Sequence, residues 1–281
     1  MDRGTMKKTL GAIMKGHPRK LPGLVGEVLV LVLATMPCGT RTLAGQVPDT
    51  DHAAVPSGFA LALGTGPYTV HDDYLSHERY TGTLSYIRAS WTHVGQGRGY
   101  RLAFGYDGSG DVSNHTVSAQ IDHAELNVDY FHRVARFRFL SRDAQLFLGP
   151  SGGFALYVNQ PDVSGNVLDL MVSFAALLSA GVNAQAVVPV SRRLHVTGSL
   201  RTTVLSLAVR MVDLVGEEES PVGLLTPLKG FSSTLALDAR YSLLNHVALG
   251  VGCELGMLRI RSWDKLASAG DNLFVQLTVS P

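Results

Sequence analysis

The residues of this chain with the most chemical potential are charged side chains at alternate positions in otherwise apolar stretches. Alternate residues of an extended strand face the same side, so these charges would share one surface. Both signs occur, and an isolated buried charge costs several kcal/mol unless it is paired. We therefore expect a structural network of ion pairs, or the lining of a narrow hydrated pore. The predicted network consists of Arg88, Arg101, Asp107, Glu125, Asp129, Asp169, Arg201, Asp238, Arg240 and Glu254.

A second group could bind a divalent metal, because imidazole and carboxylate side chains are common metal ligands. It lies in the stretch Val70–Arg79, and its spacing matches no established metal motif, so we expect no metal site there. The group consists of His71, Asp72, Asp73, His77 and Glu78.

A hydrolytic site would need a nucleophile with a positioned base. Asn114-His115-Thr116 and Ser118 lie together at the end of a predicted strand. The His-x-Ser-Asn order of outer-membrane lipases is absent, and Gly95–Gly99 matches neither a P-loop nor a dinucleotide fingerprint. We therefore expect a protein that is not an enzyme and uses no cofactor.

The element that would position these charges is clearest in Val247–Met257. Val247, Leu249 and Val251 alternate with Ala248, Gly250 and other small or charged residues. A soluble strand would oppose an apolar face with large polar residues. Here the apolar face suits lipid and the small face suits a crowded barrel interior, since a tilted membrane strand needs roughly 9–11 residues.

The same alternation recurs and predicts about ten antiparallel strands between residues 58 and 281. A bulge is expected near Leu205, where the apolar residues change face. The segment Leu168–Ala180 also has the residue types of a buried helix, but its unbroken period of two favours a strand.

The predicted connections alternate between long and short, as in barrels with long outer loops and short periplasmic turns. The short ones are Gly95–Gly99, Pro189–Arg193 and Leu243–His246, and Arg133–Asp143 is a basic connection that breaks the pattern. The long ones are Pro67–Gly82, Asp107–Asn114, Asn159–Asn166, Met211–Lys229 and Ser262–Asp271.

Aromatic residues should mark both membrane interfaces of such a barrel. We expect Trp91, Tyr100, Tyr130 and Tyr241 at the rim of the short turns. The rim of the long loops should carry Tyr80, Tyr86, Tyr106, Tyr157 and Trp263.

The first segment has the features of an export signal. A basic n-region with Lys7, Lys8, Lys15, Arg19 and Lys20 precedes the apolar run Val28–Met36, and Thr42-Leu43-Ala44 offers small residues for cleavage after Ala44. Residues 1–44 are thus predicted to be a signal peptide, and 45–57 a periplasmic lead-in. Their removal leaves 17 Lys+Arg and 21 Asp+Glu, a formal charge of −4, and Cys253 as the one cysteine. The predicted mature chain keeps only Lys229 and Lys265 as lysines and has a net negative charge, so nucleic acid is not an expected partner.

With its export signal, amphipathic strands, alternating loops and final strand Asn272–Ser280, the chain resembles the small bacterial outer-membrane β-barrel proteins of the OmpA/OmpX-like group. The resemblance spans residues 58–281 and is architectural. It implies an all-β, up-and-down transmembrane barrel in the bacterial outer membrane, with periplasmic termini. Implied partners are outer-membrane lipids, the assembly machinery and a possible extracellular ligand at loops 67–82 and 211–229.

The function expected from this architecture is a structural role in the cell envelope or an interaction at the surface. The alternatives are a narrow passive pore for small solutes and an envelope enzyme that modifies lipids or peptides. A soluble exported sandwich or lipocalin-like barrel is a further alternative. In that case Leu102, Phe104, Val128, Leu237 and Val251 would point inward.

Overall fold

The computed structural model describes residues 57–73, 78–95, 97–108, 111–114, 117–162, 172–214, 217–219, 222–261 and 265–281. The predicted signal peptide 1–44 and nearly all of the lead-in 45–57 lie outside these residues. Asp169 and Trp263 lie outside them as well.

All regular structure in the described residues is β-strand, and ten of the strands are long. Their alternating residues and β-branched content suit a pleated surface with two different faces. The long strands are β1 (Gly58–Asp72), β2 (Arg79–Gly95), β3 (Arg98–Gly108), β5 (Ser118–Phe139), β6 (Arg142–Asp162), β7 (Ser173–Pro189), β8 (Leu194–Leu214), β11 (Gly230–Leu244), β12 (Val247–Ile260) and β13 (Leu266–Val279). The short ones are β4 (Asp111–Ser113), β9 (Glu217–Glu219) and β10 (Val222–Leu225).

Each long strand pairs antiparallel with its neighbours in the chain, and β1 pairs with both β2 and β13, which closes the barrel. The short strands add to this ring: β4 pairs with β2 and β5, whereas β9 and β10 pair with β8. The expected fold, a closed antiparallel barrel of ten long strands over the described residues, is confirmed. The first residue of β1, Gly58, and the last residue of β13, Val279, lie at the rim of the short turns, which we call the turn rim. The opposite rim of the barrel is the loop rim.

The register fixes how steeply the strands tilt. A row of paired residues that starts at Arg136 runs once round the barrel and returns to the same strand at His123, 136 − 123 = 13 residues away, or 12 without the bulged Val134. With about 3.3 Å per residue and about 4.8 Å between ten strands, this stagger gives a tilt of about 40°. The row passes through Arg136, Gln145, Val187, Thr197, Asp238, Gly252, Phe274, Gly64, Tyr86, Asp107 and His123.

The two faces of the wall differ as the alternation predicts. On β12, Leu249 is 44% and Val251 is 56% exposed on the outside, whereas Glu254 is buried inside. Gly252 lies on the inner face, where an added Cβ would come within 2.5 Å of the Phe274 ring. Small residues therefore give the larger inner side chains their space. The soluble alternative, with Leu102, Phe104, Val128, Leu237 and Val251 pointing inward, is wrong for this structure because Val128, Leu237 and Val251 are exposed on the outer face.

The strands continue farther towards the loop rim than the sequence predicts. Strand β1 runs to Asp72 and β2 begins at Arg79, so residues 67–72 and 79–82 of the predicted loop are strand. The predicted loop 211–229 likewise contains the end of β8 and both β9 and β10. On β1 the outward residues there are Thr65, Pro67 and Thr69 rather than large apolar ones, so the apolar alternation ends before the strand does.

The basic segment Arg133–Asp143 is not a connection but a β-hairpin. Strand β5 continues to Phe139, and Phe139 pairs with Arg142 across the two-residue turn Leu140-Ser141. Both turn residues have positive φ, 48° and 65°, the geometry of a type I′ turn. A bulge between Arg133 and Ala135 shifts the alternation, which concealed the strand in the sequence.

The expected bulge near Leu205 is confirmed, because the register shifts where Gly181 pairs with Thr203 and Ala180 with Leu205. The strand interpretation of Leu168–Ala180 holds from Ser173 onward, and residues 168–171 lie outside the described part. Within the described residues, no helix long and apolar enough to cross a membrane occurs.

The aromatic prediction was wrong for three of the eight described residues. Trp91, Tyr100, Tyr130 and Tyr241 lie on the outer face near the turn rim. Tyr80, Tyr86 and Tyr157 are instead buried on the inner face. These three residues alternate with outward-facing neighbours in the sequence, which already indicates an inward position. Their rings fill the lumen and form no interfacial girdle.

The turn of the long hairpin generates a stability prediction. Non-glycine residues in the left-handed region cost about 1–2 kcal/mol, and part of this is regained on substitution by glycine. We expect Ser141→Gly to raise the free energy of unfolding by about 0.5–1 kcal/mol, measured by equilibrium urea unfolding. Ser141→Ala, which keeps the Cβ, should give no gain; an equal gain from both variants would contradict a backbone cause.

Candidate functional site

The lumen of the barrel is the part of the structure in which charged side chains converge. Nine of the ten charges predicted to share one surface lie on the inner face of the described strands. They form three groups and one separate pair, and Asp169 lies outside the described residues. The nine are Arg88, Arg101, Asp107, Glu125, Asp129, Arg201, Asp238, Arg240 and Glu254.

The first group is centred on Arg88, which projects from β2 across the lumen. Its Nη2 donates to Glu125 Oε1 at 2.5 Å and to Glu254 Oε1 at 2.9 Å, while its Nη1 contacts Glu254 Oε2. The guanidinium also lies over the ring of Tyr86, 5.4 Å from its centroid. One arginine on β2 thereby ties together β5 and β12, which lie on opposite sides of the ring.

The second group places one carboxylate between two guanidinium groups. Arg101 donates from Nε and Nη2 to Asp129 Oδ2 at 3.0 and 2.7 Å. Arg201 donates from Nε to Asp129 Oδ1 at 3.1 Å and from Nη2 to Oδ2 at 2.9 Å. Asp129 is only 1% exposed, so its charge depends on these two partners.

Asp107 forms the third group with a histidine and an amide. His123 Nδ1 lies 2.9 Å from Asp107 Oδ2, and Asn272 Nδ2 donates to Asp107 Oδ1 at 3.1 Å. The imidazole stacks on the ring of Tyr157, with centroids 4.2 Å apart. Asp238 and Arg240 pair separately along β11, with Nε–Oδ1 at 2.5 Å.

A further ion pair near the loop rim was not predicted. Arg210 contacts Asp72, both side chains are 1% exposed, and Asn159 Nδ2 donates to Asp72 Oδ2 at 3.0 Å. Asp72 had been assigned to a polar loop, but it is the last residue of β1 and points inward. Asp72 lies an even number of residues from the inward-facing Ala60 and Ala62, and this spacing was the sequence signal for its inward position.

Apolar clusters lie on both sides of the charged groups. The larger one lies toward the loop rim and the smaller one toward the turn rim. The small cluster comprises Phe131, Phe147 and Val187, with the two rings edge to face at 5.8 Å. The large one is formed by Tyr68, Val70, Tyr80, Leu84, Val112, Ala119, Ile121, Tyr157, Ala175, Leu177, Ala208, Leu225, Leu258, Ile260 and Leu266.

Two cavities remain below the large apolar cluster, and the first reaches Gly58 and Thr278 at the turn rim. One of about 70 Å³ lies against Arg88, Arg101 and Arg240, and one of about 40 Å³ lies against Asn127 and Arg201. Each has room for a few water molecules. Arg88 Nε and Asn127 Nδ2 are buried without a protein partner, so water in these cavities is the natural partner for both.

Among the candidate metal ligands of the stretch Val70–Arg79, the structure shows contacts for His71 and Asp73. His71 Nε2 lies 3.1 Å from Asp73 Oδ1, and Lys265 Nζ lies 3.7 Å from Asp73 Oδ2. His77 lies outside the described residues. No group of three or more His, Cys, Asp or Glu that could hold a metal ion occurs in the described part of the chain.

Only part of the candidate hydrolase group lies in the described structure, because His115 and Thr116 are outside the described residues. Asn114 Oδ1 accepts from the backbone N–H of Val117 at 2.7 Å, which is a turn interaction. The nearest arrangement to a catalytic dyad is Asp107 with His123, whose Nε2 is buried without a hydrogen-bond partner. A histidine that could act as a base does not define a catalytic site without a nucleophile hydrogen-bonded to it.

Comparison with known proteins finds likeness only in structure. No protein-family model matches the chain, and no curated protein matches it. Among solved structures it is similar to the outer membrane protease OmpT from Escherichia coli, with TM-score 0.49 and 8% identity over 81% of this chain and 98% of that one.

Two other similar structures have different roles. The translocator domain of the autotransporter NalP from Neisseria meningitidis gives TM-score 0.40 and 11% identity, over 80% of this chain and 89% of that one. The attachment invasion locus protein Ail of Yersinia pestis gives 0.28 and 11%, over 79% and 99%. Likeness at this level concerns the strand architecture and carries no role from these proteins to this chain.

The Asp129 group generates a stability prediction. Asp129→Asn would leave two guanidinium groups side by side in the lumen without their shared carboxylate. We expect it to lower the free energy of unfolding by about 3–5 kcal/mol, measured by urea unfolding.

The matched control is Asp143→Asn, which removes a carboxylate that is 88% exposed and 3.9 Å from Arg138. Its effect should stay below about 0.5 kcal/mol. Similar losses in the two variants would show that the lumen group contributes no more than a surface ion pair.

Proposed function

We propose that this protein is an outer-membrane β-barrel with a closed lumen and a role in the envelope or at its surface, without enzymatic activity. The observation that carries the proposal is the distribution of side chains across the wall. A belt of exposed Leu, Val and aromatic residues surrounds the outside, while ion pairs and apolar layers fill the inside. A soluble protein rarely exposes a contiguous apolar surface of this size, whereas a membrane barrel requires one.

The height of the belt supports a transmembrane position. On β12 the outward residues from Val247 to Met257 are all apolar. Eleven residues at about 3.3 Å each, tilted by about 40°, span about 28 Å along the barrel axis. This matches the hydrocarbon core of a bilayer, which is about 30 Å thick. The short turns then face the periplasm and the longer connections face outward.

The filling of the lumen supports a structural role over a passive pore. The apolar cluster near the loop rim draws residues from β1, β2, β4, β5, β6, β7, β8, β10, β12 and β13, so it reaches every side of the interior. Below this cluster, Arg88 forms ion pairs with Glu125 and Glu254 across the lumen. The pore remains the second candidate because of the two cavities, which these layers separate from the loop rim.

Contacts with partners would then fall to the loop rim. The connections between β1 and β2 and between β8 and β11 are the surfaces on which we propose an extracellular ligand could bind. This proposal follows from their position at the outward end, and loops positioned by a rigid scaffold commonly carry binding.

A charge placed on the belt tests the membrane position. Val251→Arg puts a guanidinium near the middle of the apolar run, where it should lower the free energy of unfolding by about 2–4 kcal/mol. Val247→Arg, on the same face at the end of the run, should cost only about 0–1 kcal/mol. Urea unfolding in phosphatidylcholine vesicles measures both, and equal effects of the two variants would remove the argument that this face contacts lipid.

Conductance in planar bilayers tests the closed lumen. We expect no discrete current steps, because the apolar and ionic layers leave no continuous aqueous path between the two rims. The same preparation must show the heat-dependent mobility of a folded barrel on a denaturing gel, so that silence reflects a closed lumen. Regular current steps from folded protein would favour the pore.

A further inference from the structure

The long hairpin of β5 and β6 projects beyond the neighbouring strands at the turn rim. The last residue of β5 paired with β3 is His132, opposite Arg98, yet β5 continues to Phe139. On the other side, β6 pairs with β7 from Gln145 onward, opposite Val187. Residues 133–144 therefore form a two-stranded extension, which we call the rim hairpin.

The outer face of the rim hairpin continues the apolar belt. Leu148 is exposed on the outside of β6, and Leu146, Ala144 and Arg142 share its side of the strand. Their partners on β5 are Ala135, Phe137 and Phe139. The two phenylalanine side chains are exposed, and Leu140 at the tip is 83% exposed. Apolar side chains thus extend past the end of the barrel wall on the lipid-facing side.

The position of these side chains matches the headgroup layer. Ala135 pairs with Leu146, which pairs with Ala186 near the end of β7, so it lies at the lower edge of the belt. Phe139 is four residues farther on, about 10 Å along the axis at this tilt. Headgroups and interface add roughly 5–8 Å on each side of the hydrocarbon core. Phe137, Phe139 and Leu140 therefore lie within or just below the headgroup layer.

The surroundings of the hairpin are strongly basic. Arg142 is the cross-strand neighbour of Phe139, and Arg138 lies 3.9 Å from Asp143, with both of these charged side chains more than four-fifths exposed. The next turn along the rim adds the exposed Arg192 and Arg193. Asp143 is the one acidic side chain in the described hairpin and this turn. Long arginine side chains can lay their stems on an apolar surface while the guanidinium reaches phosphate.

We propose that the rim hairpin and the turn 190–193 form a docking surface for anionic phospholipid headgroups of the periplasmic leaflet. This inference rests on the proposed membrane position. Each arginine near an anionic surface adds about fivefold to its affinity, and the exposed aromatic side chains supply the apolar contact that an interfacial anchor needs.

A fluorescent label at the tip tests the proposal. In the full chain with Cys38→Ser and Cys253→Ser, Leu140→Cys carries an environment-sensitive dye. The probes are vesicles of phosphatidylcholine alone and vesicles in which one third of the lipid is phosphatidylglycerol. Acrylamide, a neutral quencher, reports the access of water to the dye. We expect the quenching constant to be about threefold lower with phosphatidylglycerol, as arginine attraction to an anionic surface requires.

Two controls separate the hairpin from general effects. Leu228→Cys, equally exposed at 83% but in the turn before β11, should show no dependence on the lipid. Adding Arg138→Gln and Arg142→Gln to the Leu140→Cys chain should abolish the difference between the vesicles. Equal quenching in both lipids, or protection that survives loss of the arginines, would overturn the proposal.

The outcome also distinguishes this inference from the proposed function. A folded, heat-modifiable band in both vesicles with an unprotected tip refutes the headgroup site and leaves the membrane barrel intact. Failure to insert in either vesicle removes the barrel's membrane position and the inference with it. Protection that rises with the protein-to-lipid ratio in phosphatidylcholine alone would assign the hairpin to contact with a second copy instead.

Discussion

The pairing of β1 with β13 is the constraint from which the other features of this structure follow. It closes the ring over twelve paired positions, from Phe59 with Val279 to Asp72 with Leu266, and leaves no sheet edge between these strands. Closure of ten strands with this stagger sets the width of the interior. An interior of that width must be filled, which explains why glycine and alanine alternate with a few long charged or aromatic side chains on the inner face.

Ion pairs in the lumen have a different structural role from ion pairs on a surface. Arg88 joins strands from opposite sides of the ring through Glu125 and Glu254, and Asp129 joins β5 to β3 and β8. The contacts of Arg88 with Glu125 and Glu254 and of Arg201 with Asp129 join strands that are not hydrogen-bonded to each other in the wall. Because burial of charge is costly, these pairs favour one arrangement of the lumen more than they add net stability.

The period of two predicted the fold, the inner face and nine of the lumen charges, since each is a local property of the chain. The ion-pair partners could not be predicted from the sequence. Arg88 and Glu254 are 166 residues apart, and only closure of the barrel brings them together. Strand ends were missed where the outward residues become polar, as at Thr65 and Thr69. The rim hairpin was missed because one bulged residue reversed its alternation, and its turn contains neither glycine nor asparagine.

The two ends of the barrel are consequently unlike each other. Toward the loop rim the interior of the described residues is mostly apolar, with Arg210 and Asp72 as a buried ion pair. Toward the turn rim the interior holds cavities lined by arginine, and the outside carries the basic hairpin. This difference suits the proposed arrangement, in which the wall is anchored at the turn rim and the loop rim carries the contacts with partners.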